Sequence, residues 1–203
     1  TLFTSSLRER WSKAPSGPNV DVVDLPIPVR VLNFTWNRLS WPAIEDLCGR
    51  DFDLVHSPHA LLTPARRARR IITIHDLFFF KYPEMTEAEI RRDYAPLAQA
   101  SASQADGILC PSEHTAREVE SLLRIPREKI CVTPYAVDPA FKVAPTPGEV
   151  EALLLRLSLP RGGILYVGSE EKRKNLARLV AAYRTLAERM AEPPPLVMVG
   201  PGP

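Results

Sequence analysis

Residues 164–183 read ILYVGSEEKRKNLARLVAAY. Four uninterrupted apolar residues end at Gly168, and a polar loop carrying Lys172, Arg173 and Lys174 follows. From Asn175 onward apolar residues recur at helical spacing. Leu176, Leu179, Val180, Tyr183, Leu186, Ala187 and Met190 share one face, so a helix is expected over 175–190. A continuously apolar run of this length, bounded by turn residues, is the pattern of a strand covered on both faces in a parallel sheet. Strand, loop and helix in immediate succession form the repeating unit of an open α/β fold.

The same grammar runs through the rest of the chain. Further strands are expected at Val20–Val23, Asp53–His56, Ile71–His75, Gly107–Cys110, Ile130–Thr133 and Leu196–Gly200, with the first strand of the quoted stretch at Ile164–Gly168. A helix is expected over 112–124, started by Ser112 as N-cap after Pro111. A longer helical stretch over 86–105 carries Pro96, where a kink or break belongs. Strands alternating with helices imply right-handed crossovers and a parallel, Rossmann-like sheet. Residues 139–163 concentrate Pro139, Pro145, Pro147, Pro160 and Gly162–Gly163 around one amphipathic helix near 148–158. They divide an α/β domain at 1–138 from a second one beginning at 164–203. Two strands and one helix cannot cover both faces of a parallel sheet, so the second part reads as the start of a domain, and the chain as a fragment of a longer protein.

Composition narrows the function. The 203 residues are 45% hydrophobic and 25% charged, the balance of a soluble globular chain rather than a disordered one. A net charge of +2 gives no reason to invoke nucleic acid. No apolar run is long enough to span a bilayer. Cys48, Cys110 and Cys131 are odd in number and lack metal-ligand spacing, which argues for a reduced, cytoplasmic setting. There is no GxGxxG for a dinucleotide and no GxSxG for a hydrolase nucleophile. His56, His59 and His75 lack helical ligand spacing and a fourth partner, so no metal or other cofactor is assigned.

Two places remain for chemistry. The loop after Gly168 delivers cations beside a helix N-terminus, where they oppose the helix dipole by a few tenths to about 1 kcal/mol. That conflict is resolved if a polyanion such as a diphosphate binds there. Residues 71–80, IITIHDLFFF, place His75 where an apolar strand ends, the edge at which open α/β sheets contact ligands. A neutral imidazole there serves a sugar hydroxyl or a phosphate, with Asp76 placed to orient it. A histidine that merely caps a strand explains the position equally well.

Taken in order, HDLFFFKYPE, GILCPSEHTAREV, KICVTPYAVDPAF and ILYVGSEEKRKNLARLVAAY resemble the family 4 retaining glycosyltransferases, GT-B enzymes that include bacterial mannosyltransferases. The resemblance covers roughly residues 50–203. It implies two Rossmann-like domains, the first binding mainly the acceptor and the second the nucleotide-sugar. It matches the family's diphosphate-gripping basic pair to Arg173 and Lys174, more firmly to Lys174, because some members take the arginine from the position of Ser169. Gly168 permits close backbone approach to the phosphate. The histidine that meets the donor sugar near the reacting carbon matches His75. Ser112 and Asp138 fall near the implied cleft, with Asp76 beside His75. The chain reads Tyr135-Ala136-Val137-Asp138 where the family often has Asn-Gly-Val-Asp. It also lacks the family's glycine-rich loop after the first strand and its Glu-containing donor segment.

The resemblance implies transfer of a hexose, such as mannose, from a nucleotide-diphosphate sugar to a glycan or lipid-linked acceptor, with retention and without a metal. The alternative is a non-catalytic nucleotide-sugar-binding or scaffold fragment. The run Arg66, Arg67, Arg69 and Arg70 reads first as a solvated turn, and second as a peripheral contact with anionic lipid on the inner membrane face.

Overall fold

The computed structural model describes residues 1–8, 17–86 and 93–200. The chain divides into two compact units, Thr1–Tyr135 and Ala136–Pro203. Both are α/β with parallel strands, as the alternating pattern predicts.

In the first unit, β1 (Leu2–Ser5) pairs in parallel with β2 (Val22–Leu25). Two helices follow, α1 (Val29–Leu39) and α2 (Ile44–Cys48). Strands β3 (Leu54–Ser57) and β4 (Arg69–Thr73) come next, then the short helix α3 (Phe78–Lys81) and helix α4 (Ala95–Gln104). The unit closes with β5 (Gly107–Cys110), α5 (Glu113–Leu123) and β6 (Ile130–Val132). Strands β3-β4-β5-β6 form one parallel sheet in sequence order, so all four carboxyl ends lie along one edge.

The core lies between the centre of this sheet and its helices. Ile72, Ile74, Leu77, Ile108 and Cys110 are fully buried in one cluster with Ala98, Ala102 and Ala105 at α4 and Ala116 and Val119 of α5. Alanines on α4 let that helix approach the sheet closely. Each buried Ile, Leu or Val contributes about 1.5–3 kcal/mol. Burial pushes the Cys110 thiol up to about 11, which marks it as a packing residue. The three cysteines are all free.

Several sequence expectations are corrected here. The strand expected at Ile71–His75 ends at Thr73, because both of its neighbours meet prolines, Pro58 after β3 and Pro111 after β5, and the ladder runs out of donors. His75 therefore sits on the loop beyond the sheet edge. Pro96 meets the expected break: α4 starts at Ala95, directly after a π-helical turn at 93–94. The proline occupies the first turn of α4, where its missing N–H is no loss. Residues 87–92 of the expected helix lie outside the described residues. Strand β1 and helices α1, α2 and α3 were not expected.

Glu45 of α2 is buried and anchors the arginine run. Its carboxylate accepts from the Arg66 amide at 3.0 and 3.1 Å and from the Arg67 amide at 3.4 Å. Burial works to raise its pKa, and the ring of backbone amides outweighs it, holding the carboxyl below its ordinary range.

The second unit begins with a short 3₁₀ turn at Pro139–Lys142 and helix α6 (Pro147–Leu157), entered through a Thr146–Glu149 capping box. Strand β7 (Ile164–Val167), helix α7 (Leu176–Arg189) and β8 (Leu196–Val199) complete it, β7 and β8 pairing in parallel. Of the apolar face assigned to α7, Leu176, Leu179, Val180, Tyr183, Leu186 and Ala187 are partly buried, while Met190 is exposed. The strand was expected to be covered on both faces. Only one is: Ile164 and Tyr166 are partly buried, whereas Leu165 and Val167 are 66% and 69% exposed. One crossover helix shields one face of two strands.

Candidate functional site

In the first unit the loops at the carboxyl edge of the sheet converge on His75. Its Nε2 lies 2.8 Å from the Pro58 carbonyl, which follows β3. Its Nδ1 is hydrogen-bonded to the hydroxyl of Tyr135, which follows β6. A carbonyl only accepts, so Nε2 carries the proton; in the neutral ring Nδ1 then accepts from the Tyr135 hydroxyl. The His75 and Tyr135 rings lie 6.0 Å apart, centroid to centroid, and tilted by 36°. The imidazole is thus fixed in tautomer and plane by groups from two other strands, while its surface remains exposed.

The His75 backbone is tied as well. Buried Thr115 donates its hydroxyl to the His75 carbonyl at 3.4 Å. Thr115 stands in the first turn of α5, whose N-cap is Ser112; the Ser112 Oγ accepts from the Thr115 amide at 3.2 Å. Ser112 is accordingly a cap that also places the residue holding His75. Asp76 accepts from the Phe78 amide at 3.0 Å and starts α3, so its carboxylate serves the backbone after His75. In the second unit Asp138 does the same, accepting from the Ala140 amide at 2.8 Å.

Three residues outside the sequence expectation emerge here: Pro58, Thr115 and Tyr135. Tyr135 stood in the sequence only as a departure from a family motif. Its position just after an expected strand, on the same edge as His75, was the available signal. The other histidines are engaged separately: His56 Nε2 lies 2.8 Å from the Thr73 hydroxyl, and His59 Nδ1 accepts from the Leu61 amide at 3.2 Å. Among the described residues no cluster of His, Cys, Asp and Glu is placed to hold a metal ion.

The basic loop belongs to the second unit. Gly168 follows β7, and its amide donates to the Val199 carbonyl at 2.9 Å. A β-carbon on neighbouring Gly200 would stand 2.0 Å from the Gly168 carbonyl, so the two backbones meet where only glycine fits. A β-carbon on Gly168 itself would meet the Tyr166 hydroxyl at 3.0 Å. Tyr166 in turn donates to the Ser169 carbonyl at 2.9 Å and pins the start of the loop.

Lys172–Lys174 form a single 3₁₀ turn, and Asn175 adopts a left-handed conformation before α7 begins. Ahead of the helix, the Lys174 and Asn175 amides are used within the turn, bonding the Glu171 and Lys172 carbonyls at 2.9 and 3.1 Å. Glu171 also organises the side chains: it accepts from Ser169 Oγ at 2.6 Å and from Arg173 Nε at 2.6 Å. The Ser169 hydroxyl first, and then Arg173, hold the Glu171 carboxyl below its ordinary range. Arg173 is therefore already paired. Lys172 and Lys174 are exposed and make no ion pair among the described residues.

The first unit thus presents an oriented histidine at the carboxyl edge of a parallel sheet, and the second unit carries a cationic loop after β7. The model of Glycosyltransferase Family 4 matches residues 1–141, and the chain belongs to that family. It is 29% identical over 166 residues to the O-antigen chain mannosyltransferase B of Escherichia coli. That alignment takes in 80% of this chain but 43% of the relative, so the chain spans less than half the relative's length. No helix among the described residues is long and apolar enough to cross a membrane.

Proposed function

We propose that the protein containing this chain transfers a hexose, mannose in the first instance, from a nucleotide-diphosphate sugar to a glycan or lipid-linked acceptor. Transfer proceeds with retention and without a divalent metal. Family membership supports glycosyl transfer, and the likeness to an O-antigen mannosyltransferase supports mannose. The motif resemblance alone supports retention and the GT-B arrangement. The observation that carries the reading is His75, held by two loops at the carboxyl edge of a parallel sheet, where such sheets receive ligands.

In this reading His75 contacts the donor sugar, and Gly168, Arg173 and Lys174 receive the diphosphate. Asp76 and Ser112 act by shaping the backbone around His75, and Asp138 by capping the turn at Pro139–Lys142. The leaving diphosphate gains negative charge as the glycosidic bond breaks, and preorganised cations stabilise it electrostatically. The leaving group is already activated, so the two opposed carboxylates of a glycosidase are not required.

The test is a transfer assay on the full-length protein with a panel of nucleotide-diphosphate sugars, with and without a chelator. Transfer from a mannosyl donor is expected to persist undiminished in the chelator. Activity abolished by chelation and restored by Mg²⁺ or Mn²⁺ sinks the metal-free mechanism. Donor binding with no transfer to any acceptor favours a binding or scaffold role.

A second expectation arises from the histidine itself. Tyr135→Phe removes the hydroxyl that fixes Nδ1 while keeping the ring. The ¹⁵N resonance of His75 Nδ1 is expected to move toward that of a free pyridine-like nitrogen, and turnover to fall about tenfold, the worth of one hydrogen bond of about 1.5 kcal/mol. An unchanged Nδ1 resonance would show that the contact does not set the tautomer.

A further inference from the structure

The loop that leaves β3 carries the carbonyl that holds His75, and most of its ties are insensitive to pH. Fully buried Ser57 closes the neck: its hydroxyl donates to Thr63 Oγ1 at 2.8 Å and accepts from the Thr63 amide at 3.0 Å. On the far side, the Leu62 amide donates to Ser101 Oγ of α4 at 3.1 Å. The Ala60 backbone meets the Tyr94 phenol. Burial pushes that phenol above its ordinary range, and the Asp76 carboxylate acts in the same sense. None of these tying groups changes its charge between about pH 5 and 8.

One further tie does. His59 stands directly after Pro58, and its Nδ1 accepts from the Leu61 amide at 3.2 Å. That bond closes a tight turn beside the peptide whose carbonyl lies 2.8 Å from His75 Nε2. A ring nitrogen that takes up a proton becomes a donor, and the amide facing it then loses its acceptor. Partial burial first, and then the His75 and His56 imidazoles, hold the His59 ring below the ordinary histidine range. Those two imidazoles and the Leu61 amide are the neighbours that act on it.

We propose that His59 is a positioning residue for His75: unprotonated, its Nδ1 fixes the turn that aims the Pro58 carbonyl at His75 Nε2, and a proton on that nitrogen releases the aim. The site thereby carries its own acid switch. While His59 is neutral, His75 is clamped between Pro58 and Tyr135 in a single tautomer. Once His59 is charged, the Ser57–Thr63 neck stays closed but the tip of the loop lets go, and His75 loses one of its two fixed partners. The functional consequence rests on the reading of His75 as the residue that meets the sugar; the structural part is measured without any sugar.

His59→Asn and His59→Ala, compared in the full chain, test this. Both remove the titrating ring, but only Asn keeps a side-chain oxygen placed to accept from the amide two residues on. At about pH 7.5, where the His59 ring is neutral, the ring resonances of His75 are expected to match the parent in His59→Asn and to be displaced in His59→Ala. On acidification the parent is expected to show a step in the His75 resonances at the midpoint of His59, and His59→Asn to lack it. In the full-length protein at neutral pH, His59→Ala should lower turnover about tenfold, the effect of one hydrogen bond, and His59→Asn should recover most of that loss. Between about pH 7.5 and about pH 5 the parent should fall behind His59→Asn by a similar factor. Thermal melting shows whether each variant folds; if His59→Ala does not, the titrations of the parent and His59→Asn decide. Two outcomes overturn the proposal: His75 resonances in folded His59→Ala that equal the parent's at neutral pH, or the same acid step persisting in His59→Asn. Resonances that move as expected, with no transfer from any donor, leave the positioning role standing and overturn the glycosyl-transfer reading instead.

Discussion

Replacing His75 by alanine in the full-length protein is expected to lower turnover by about a hundredfold, the usual effect of deleting one preorganised group that acts on developing charge. Affinity for a nucleoside diphosphate should stay nearly unchanged, since the diphosphate is assigned to other residues, Gly168, Arg173 and Lys174. The geometry sharpens the expectation. His75 is exposed, so its removal leaves no cavity, and among the described residues its side chain gives up the bonds to Pro58 and Tyr135 and the ring contact with Tyr135. A purely structural histidine would behave otherwise: melting temperature would drop, and activity would decline in step with the folded fraction. Measuring melting, turnover and diphosphate affinity on the same variant separates the cases. Near-normal turnover in a folded His75→Ala protein removes the residue from the mechanism.

What the sequence revealed depended on how strongly each segment advertised itself. The strands at Gly107–Cys110 and Ile164–Val167 are short apolar runs bounded by turn residues, and helix α5 has Ser112 as an overt N-cap. Helix α1 escaped because every local signal is weak. It reads VRVLNFTWNRL, rich in β-branched and aromatic residues, begins after Pro28 with no side-chain cap, and has no acid in its first turn. Tertiary packing of Leu32 decides it. Strand β1, only four residues long, carries no clear alternation.

The site was legible in the same uneven way. His75 and the basic loop follow directly from residue type and position. The partners that orient them do not: Tyr135 lies 60 residues from His75 in sequence, and the two meet because β4 and β6 flank β5. Glu171 reads in the sequence as one more charge in a polar loop. Only the folded turn shows that it takes Arg173 and Ser169 together.

That pairing separates the three cations of the loop. Lys174→Ala is expected to weaken nucleoside-diphosphate binding by roughly ten- to a hundredfold, since a charge-assisted contact contributes about 1.5–3 kcal/mol. Lys172→Ala should change it little, because Lys172 opens the 3₁₀ turn whereas Lys174 closes it two residues before α7. Arg173→Ala should fall between them. To reach a phosphate, the Arg173 guanidinium must leave Glu171, and that carboxylate, held in its ionised form by Ser169 and Arg173, then repels the incoming anion. Surface pairs of this kind contribute little on their own, so the exchange is open to a ligand carrying two phosphates. Glu171→Gln should accordingly tighten binding severalfold and make Arg173→Ala more damaging than it is in the parent chain. Calorimetric titration of the four single variants and the Glu171→Gln/Arg173→Ala pair reads this directly. Small and equal effects from Lys172→Ala and Lys174→Ala would mean that the loop is a solvated basic turn and that the diphosphate binds elsewhere.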